Sequence, residues 1–328
     1  MIKQFRTFHP FNIPLLILGA LFLRFVLWDE SLAAADLSFH QLYQHLLLDH
    51  PPSLTLGGGT HFILSLSILI VQAFWFNAIV NTHNLIGKAS FLPALLFIIC
   101  ANMLHSFVYL GPVQILNFFV IWLLNQFFKM YRVQEIRPLI YNAGMIIALG
   151  TIIYTSFVIM LPLIWISLLI FRPFNWREWM LGLLGFFTVF FFLGFYYFWN
   201  DALALSQSAW TDPVGLAPIK TFNYWILLPL GIVSILSFIQ LRMNFFKSVV
   251  HIRKSYQLLF MFFLMALVSA SPKLGAMSNH YLLAAAPLAV LFSYYFMHAA
   301  KRWIYEGVFL ILLASIFIFE FFPSFNFF

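Results

Sequence analysis

Three carboxylates, Asp29, Glu30 and Asp36, lie within eight residues and directly follow an apolar stretch that contains Arg24. The whole chain has only ten acidic residues, so this local density stands out. A carboxylate that is ionised yet partly shielded from water can act as a general base toward a hydroxyl group or hold a divalent cation. The alternative is that Asp29 and Glu30 simply mark the point where the chain leaves an apolar phase.

Arg24 is the cation closest in sequence to these acids. In a helix it would lie about 7 Å deeper than Asp29, because each residue adds about 1.5 Å along the axis. An arginine below the surface of a membrane either extends toward water or pairs with an anion, and such residues are functional candidates. We expect Arg24 to bind a phosphate through its planar guanidinium or to neutralise one of the acids.

A second group of candidates occurs late in the chain, in the segment "SPKLGAMSNHYLLAAAP". Lys273 suits a phosphate as a point charge, and His280 and Tyr281 stand at the start of the next apolar run. The alternative is a short loop in which Ser278 or Asn279 caps the following helix.

His50 is a weaker candidate, in "LLLDHPPSL". A histidine can contact a phosphate or a carboxylate near neutral pH. The prolines that follow it equally predict a simple helix end. The remaining histidines lack the spacing of zinc motifs, so we predict no metal site of that kind.

The composition shows which elements must position these residues. The chain is 63% hydrophobic and 8% charged, whereas globular domains are about 45–50% apolar and about 25% charged. Repeated apolar runs of about 20 residues predict membrane-spanning helices. We therefore predict an all-α fold, a polytopic transmembrane helical bundle. The single cysteine, Cys100, excludes an internal disulfide.

We predict about eleven spans and, because no linker divides the chain, a single integral membrane domain over residues 1–328. The predicted segments are 12–28, 61–80, 91–110, 113–128, 138–153, 155–171, 179–199, 222–241, 256–270, 280–297 and 304–322. The uncharged stretch 138–171 is either two short helices or one long broken helix.

The basic residues predict the orientation. With the N-terminus in the cytoplasm, only Arg24, Lys220 and Lys273 of the 17 lysines and arginines lie on the outer side. This bias follows the positive-inside rule. It also explains the isoelectric point near 9.5 through topology and anionic lipid headgroups, so no nucleic-acid partner is predicted.

The first outer loop, residues 29–60, contains a segment whose leucines fall partly on one helical stripe, while Asp36, His40 and His45 lie elsewhere. Such a pattern predicts a helix lying flat at the outer interface.

Taken in order, the acidic pair after the first span, the interfacial loop and "HPP" before the second span resemble the C-type glycosyltransferase superfamily. The protein O-mannosyltransferase and aminoarabinose transferase branches carry Asp-Glu in the first outer loop, a later His/Lys-Pro-Pro-Leu and a late Arg-Tyr-Leu-Leu-Pro. Here Ser53 replaces the leucine, His280 the arginine and Ala284 the proline. The chain is also similar to a family of inner-membrane proteins from Bacteroidota.

The resemblance implies transfer of a sugar from a polyprenyl-phosphate donor to an envelope acceptor, on the outer face of the bacterial inner membrane. Asp29 and Glu30 would be catalytic, Arg24, Lys273 and His280 would bind the donor phosphate, and Asp36, His50 and Tyr281 would support them. No cofactor is predicted, with a divalent cation as the alternative role of the acids. The competing hypothesis is a non-catalytic membrane subunit that scaffolds or anchors an envelope complex. In both cases the partners include the lipid bilayer, and the C-terminus is periplasmic.

Overall fold

A computed structural model describes residues 2–28, 42, 45–46, 58–103, 108, 110–131, 133–203, 210, 227–244, 249–269, 281–299 and 301–321. Within these residues the fold is all-helical and contains no strand. The helices are α1 (Ile2–Phe5), α2 (Asn12–Val26), α3 (Gly58–Thr82), α4 (Leu92–Ala101), α5 (Pro112–Lys129), α6 (Arg137–Ile153), α7 (Pro162–Phe171), α8 (Trp176–Trp199), α9 (Leu227–Asn244), α10 (Val250–Ser269), α11 (Ala285–His298) and α12 (Arg302–Phe321), with 3₁₀ helices at Thr155–Met160 and Tyr281–Ala284.

Helices occupy all eleven predicted apolar segments. In the part of the chain that the structure describes, four helical stretches are long and apolar enough to cross a membrane, namely α3, α8, α10 and the continuous stretch Tyr281–His298. The class of helical membrane protein is supported on this basis, while the number of spans stays a prediction. Of the predicted interfacial helix, the structure describes only Leu42, His45 and Leu46, and the Leu46 N–H donates to the Leu42 carbonyl (3.0 Å), as in a helical turn.

Proline and asparagine set several helix starts. A proline occupies the first or second position of α4, α5, α6 and α7, where its missing N–H is not needed and its fixed φ suits the helix. At α8 the Asn175 side chain accepts a hydrogen bond from the Arg177 N–H (3.3 Å), which satisfies one free donor of the first turn.

The stretch 138–171 forms two helices. Tyr154 is extended (φ −151°, ψ 108°) and ends α6, and the 3₁₀ helix Thr155–Met160 leads into α7. The Arg172 guanidinium, just after α7, donates to the Val133 carbonyl, just before α6. The chain therefore reverses direction, and the break is a helical hairpin.

The helix α4 lies in the middle of the core. All ten of its residues are buried, and it packs against α3 and α11. Twelve residues of α11 are buried as well. A helix that is apolar on every side must be enclosed by other helices or by lipid, and here the protein itself encloses α4.

Of the described helices, α6 and α8 share the most extensive contact. A Cβ atom built on Gly144 would lie 2.2 Å from the Gly182 carbonyl oxygen, and one on Gly185 would lie 2.2 Å from the Tyr141 carbonyl oxygen. Small residues let membrane helices approach until their backbones touch. These glycines therefore set the distance between α6 and α8.

Candidate functional site around Arg24

Arg24, in the last turn of α2, is 1% exposed. Its Nε–H donates to Asn102 Oδ1 (3.2 Å), and its Nη1 donates to the Val108 carbonyl (2.8 Å) and to Ser65 Oγ. These partners come from the end of α4, the segment before α5, and α3. One guanidinium thus joins four parts of the chain.

The partners are themselves held in place. Asn102 Nδ2 donates to the Ile98 carbonyl (2.7 Å), which turns the amide oxygen toward Arg24. Ser65 Oγ donates to the Val108 carbonyl (2.6 Å). Burying a guanidinium is expensive unless its N–H groups are satisfied, and these oxygens accept from Nε and Nη1. Since each of these three partners is neutral, the bonds they accept leave the positive charge of Arg24 intact.

The hydrogen bonds continue from this junction into α5. Gln114 Nε2 donates to the Ser65 carbonyl (2.9 Å), and Gln72 Nε2 donates to the Gln114 carbonyl (2.6 Å). Ser65 and Gln72 are seven residues apart and therefore lie on the same face of α3. We call Arg24, Ser65, Asn102, Val108 and Gln114 the Arg24 cluster.

The end of α2 leads, along the chain, to the first predicted acidic residues. The Trp28 ring packs on the rings of His61 (5.8 Å between centroids) and Phe62 (5.0 Å) in the first turns of α3. Asp29 follows Trp28 directly in the chain. In the sequence, the acidic pair therefore follows directly after this contact between the end of α2 and α3.

The structure describes two of the eight predicted site residues, Arg24 and Tyr281. Tyr281 is partly buried and starts a 3₁₀ helix that packs against α5 and α10. Tyr281 thus begins an element that packs on α5, whereas α2, which carries Arg24, packs on α3 and α4. The other six predicted site residues lie outside the described residues: Asp29, Glu30, Asp36, His50, Lys273 and His280.

Sequence reasoning missed Ser65, Asn102 and Gln114. The signal was present, because each is a polar residue in or beside an otherwise apolar segment, and such residues usually face the interior of a bundle. Their convergence on Arg24 was not readable from spacing, since Asn102 is 78 residues from Arg24 along the chain.

A second polar cluster is centred on His45. Its Nδ1–H donates to the Ile152 carbonyl (2.8 Å), and its own carbonyl accepts from the Tyr197 hydroxyl (2.6 Å). Its ring stacks on Trp210 (3.7 Å, 12°), whose Nε1–H donates to the Tyr197 hydroxyl (3.3 Å). His45 of the first outer loop and Trp210, from the segment that follows α8, thus meet at the ends of α6 and α8.

His45, which the sequence places off the leucine stripe of the predicted interfacial helix, has a buried side chain. Burial disfavours the charged imidazolium and lowers the pKa of His45, and the hydrogen bond to the Ile152 carbonyl opposes that shift in part.

Asparagine and histidine side chains form hydrogen bonds at the opposite end of α3. Asn81 exchanges two hydrogen bonds with the Ser90 backbone (3.0 and 3.2 Å). His83 Nε2 lies 3.3 Å from Asn125 Oδ1 of α5. Among the described residues, no group of three or more histidines, cysteines or acids is arranged to hold a metal ion.

Comparisons with known proteins give one match. No curated protein and no solved structure matches the chain. The profile of one family matches residues 53–328, a range that contains Lys273, His280 and Tyr281 and begins after Asp29 and Glu30. The match covers well over half of the chain, which therefore belongs to DUF6427, a family of unknown function.

Proposed function

We propose that this protein is a membrane glycosyltransferase, which transfers a sugar from a polyprenyl-phosphate donor to an acceptor of the cell envelope. The observation that carries the proposal is Arg24, a cation held in a buried junction of four chain segments. It lies five residues before the acidic pair Asp29 and Glu30. A fixed cation next to paired carboxylates suits a reaction that uses an anionic leaving group and needs a base.

The proposed membrane arrangement has eleven spans, with the N-terminus in the cytoplasm and the C-terminus in the periplasm. The helix in each apolar segment supports the span number, and the distribution of lysine and arginine supports the orientation. In this arrangement Arg24, Asp29, Glu30 and Lys273 lie at the outer face of the inner membrane. The prenyl chain of the donor would lie in the bilayer, between lipid-facing helices.

In the proposed reaction, Asp29 or Glu30 takes the proton of the acceptor hydroxyl, whose oxygen attacks the anomeric carbon of the donor sugar. The bond between that carbon and the phosphate oxygen breaks, and the prenyl phosphate leaves with its negative charge. Lys273, His280 and Arg24 stabilise that charge by preorganised electrostatics. A divalent cation held by the two acids is the alternative to direct base catalysis.

The burial of Arg24 gives it a further role in this proposal. Its hydrogen bonds fix the end of α2, and five residues of chain span at most about 17 Å. The chain length alone therefore limits the distance between the Cα atoms of Arg24 and Asp29 to that value. Arg24 would thus position the acids in addition to contributing its charge.

The test is the double substitution Asp29→Asn and Glu30→Gln in the cell that makes the protein. We expect loss of one envelope glycan or glycolipid, because amides cannot accept the proton or hold a divalent ion. Asp201→Asn is the matched control, since Asp201 is an exposed acid at the end of α8. Unchanged envelope products in a stably expressed double variant would rule out catalysis by these acids.

The second candidate function is a non-catalytic subunit that scaffolds an envelope complex. The observation that favours it is α8, whose contact with the rest of the protein is mainly with α6. Its other face exposes a row of large apolar side chains: Met180, Leu184, Phe187, Phe191, Phe192, Phe195, Phe198 and Trp199. A protein partner that co-purifies in stoichiometric amount in mild detergent, and is lost when this row is changed to alanine, would support the scaffold.

A further inference from the structure

Asn117 is a buried residue of α5 whose side-chain amide makes no hydrogen bond. It is 1% exposed, and neither its Oδ1 nor its Nδ2 has a hydrogen-bond partner. Buried amides without partners are rare in folded proteins, and each unmade hydrogen bond is destabilising. Within a bilayer the penalty persists, because lipid supplies no partner.

The position of Asn117 links it to the Arg24 cluster. It lies three residues after Gln114, so the two side chains stand on neighbouring turns of α5, about 4.5 Å apart along the helix axis. Gln114 bonds to Ser65 and accepts from Gln72 of α3. Asn117 therefore continues the polar side of the α3–α5 contact one turn further from Arg24.

The surroundings indicate the charge of a ligand. The range of α3 contains no lysine, arginine, aspartate or glutamate, and α5 contains only Lys129, at its end. Neither helix offers an acidic or basic partner to an ion beside Asn117. The Arg24 guanidinium of the neighbouring cluster would repel a cation and already donates to three neutral oxygens, so we take the ligand to be uncharged. An amide offers two N–H donors and an acceptor oxygen, which match a hydroxyl group that both accepts and donates.

We propose that Asn117 binds an uncharged hydroxyl group beside the α3–α5 contact, with Nδ2 donating to the hydroxyl oxygen and Oδ1 accepting its hydrogen. The hydroxyl belongs either to an ordered water or to an alcohol dissolved in the membrane. This site does not depend on the proposed glycosyl transfer. It also gives a physical reason for an asparagine at a position where leucine would otherwise pack better.

The test uses the full chain in detergent, with its asparagines labelled with ¹⁵N and farnesol as the alcohol probe. The side-chain NH₂ signal of Asn117 is identified by its loss in Asn117→Leu or, if that variant does not fold, in Asn117→Ser. Cross-peaks from this NH₂ group to farnesol protons would show a bound alcohol, and cross-peaks to water alone would show a bound water. Cross-peaks to protein protons alone would overturn the proposal.

A thermal shift provides the second readout. If the occupant is an alcohol, farnesol raises the unfolding midpoint of the wild type, and the shift is lost in Asn117→Leu. Asn125→Leu is the matched control, since it makes the same change on the same helix, about 12 Å away along the axis, and it should keep the shift. A shift of equal size in all three proteins would exclude Asn117 as the alcohol site.

Discussion

Replacing Gly185 of α8 by alanine tests the packing of α6 and α8. The added Cβ would lie 2.2 Å from the Tyr141 carbonyl oxygen and 3.0 Å from its carbonyl carbon. Both are backbone atoms, so no side chain can rotate away to make room. Ordinary contacts begin near 3.4 Å, and α8 must therefore move away from α6 by about 1 Å.

The size of the effect follows from that movement. A gap of 0.5–1 Å already removes about a quarter to a half of each dispersion contact across an interface. Inserting a methyl group into a tightly packed core typically destabilises by about 1–3 kcal/mol. Because α6 and α8 form the most extensive helix contact in the described part of the chain, we expect a loss near 3 kcal/mol.

The assay is reversible unfolding in mixed micelles, followed by helical circular dichroism. Gly194→Ala is the matched control, because it lies in the same helix and nothing lies within 4 Å of its added Cβ. That variant should be neutral, or more stable by about 0.5–1 kcal/mol through helix propensity. If Gly185→Ala and Gly194→Ala unfold alike, the backbones of α6 and α8 do not touch as described.

Three further predictions concern other parts of the structure. Arg24→Lys should lower the free energy of unfolding by about 2 kcal/mol, since one ammonium cannot reproduce the spread of the guanidinium N–H groups; stability equal to wild type would contradict the described junction. Because burial lowers the pKa of His45, its imidazole binds a proton more readily when the side chain is released from its buried position. The packing of His45 on Trp210 should therefore weaken as the pH falls below about 6.5. Trp210 fluorescence, taken as the difference from Trp210→Phe, should follow this change, and His45→Gln should abolish it. Cys100, 4% exposed in α4, should react with a maleimide only after unfolding, and rapid labelling of the folded protein would show that α4 is not enclosed.

The positions of the helices could be predicted from the sequence. Apolar runs separated by charged residues are a local pattern, and bilayer thickness fixes the length of such runs. The break between α6 and α7 was harder to predict, because "GTIIYTS" contains no proline. The end of α6 at Tyr154 depends on how the two helices of the hairpin pack. The prolines that start α5 and α7 mark their boundaries from sequence alone.

The sequence predicted only part of the candidate site. Arg24 is conspicuous because a charge inside an apolar run is expensive. Its partners are 41 to 84 residues away along the chain, and no periodicity connects them. His45 lies off the leucine stripe of the predicted interfacial helix, and its spacing gives no sign that Trp210, far away along the chain, covers its ring.

The most direct test of the proposed function is the identity of what the purified protein carries. The protein should be extracted in mild detergent, and its bound lipids and proteins should be weighed by native mass spectrometry. The proposal predicts a bound phosphorylated isoprenoid, in a smaller amount in Arg24→Lys and the same amount in Asp201→Asn. A stoichiometric protein partner with no phosphorylated isoprenoid would contradict the transferase and favour the scaffold.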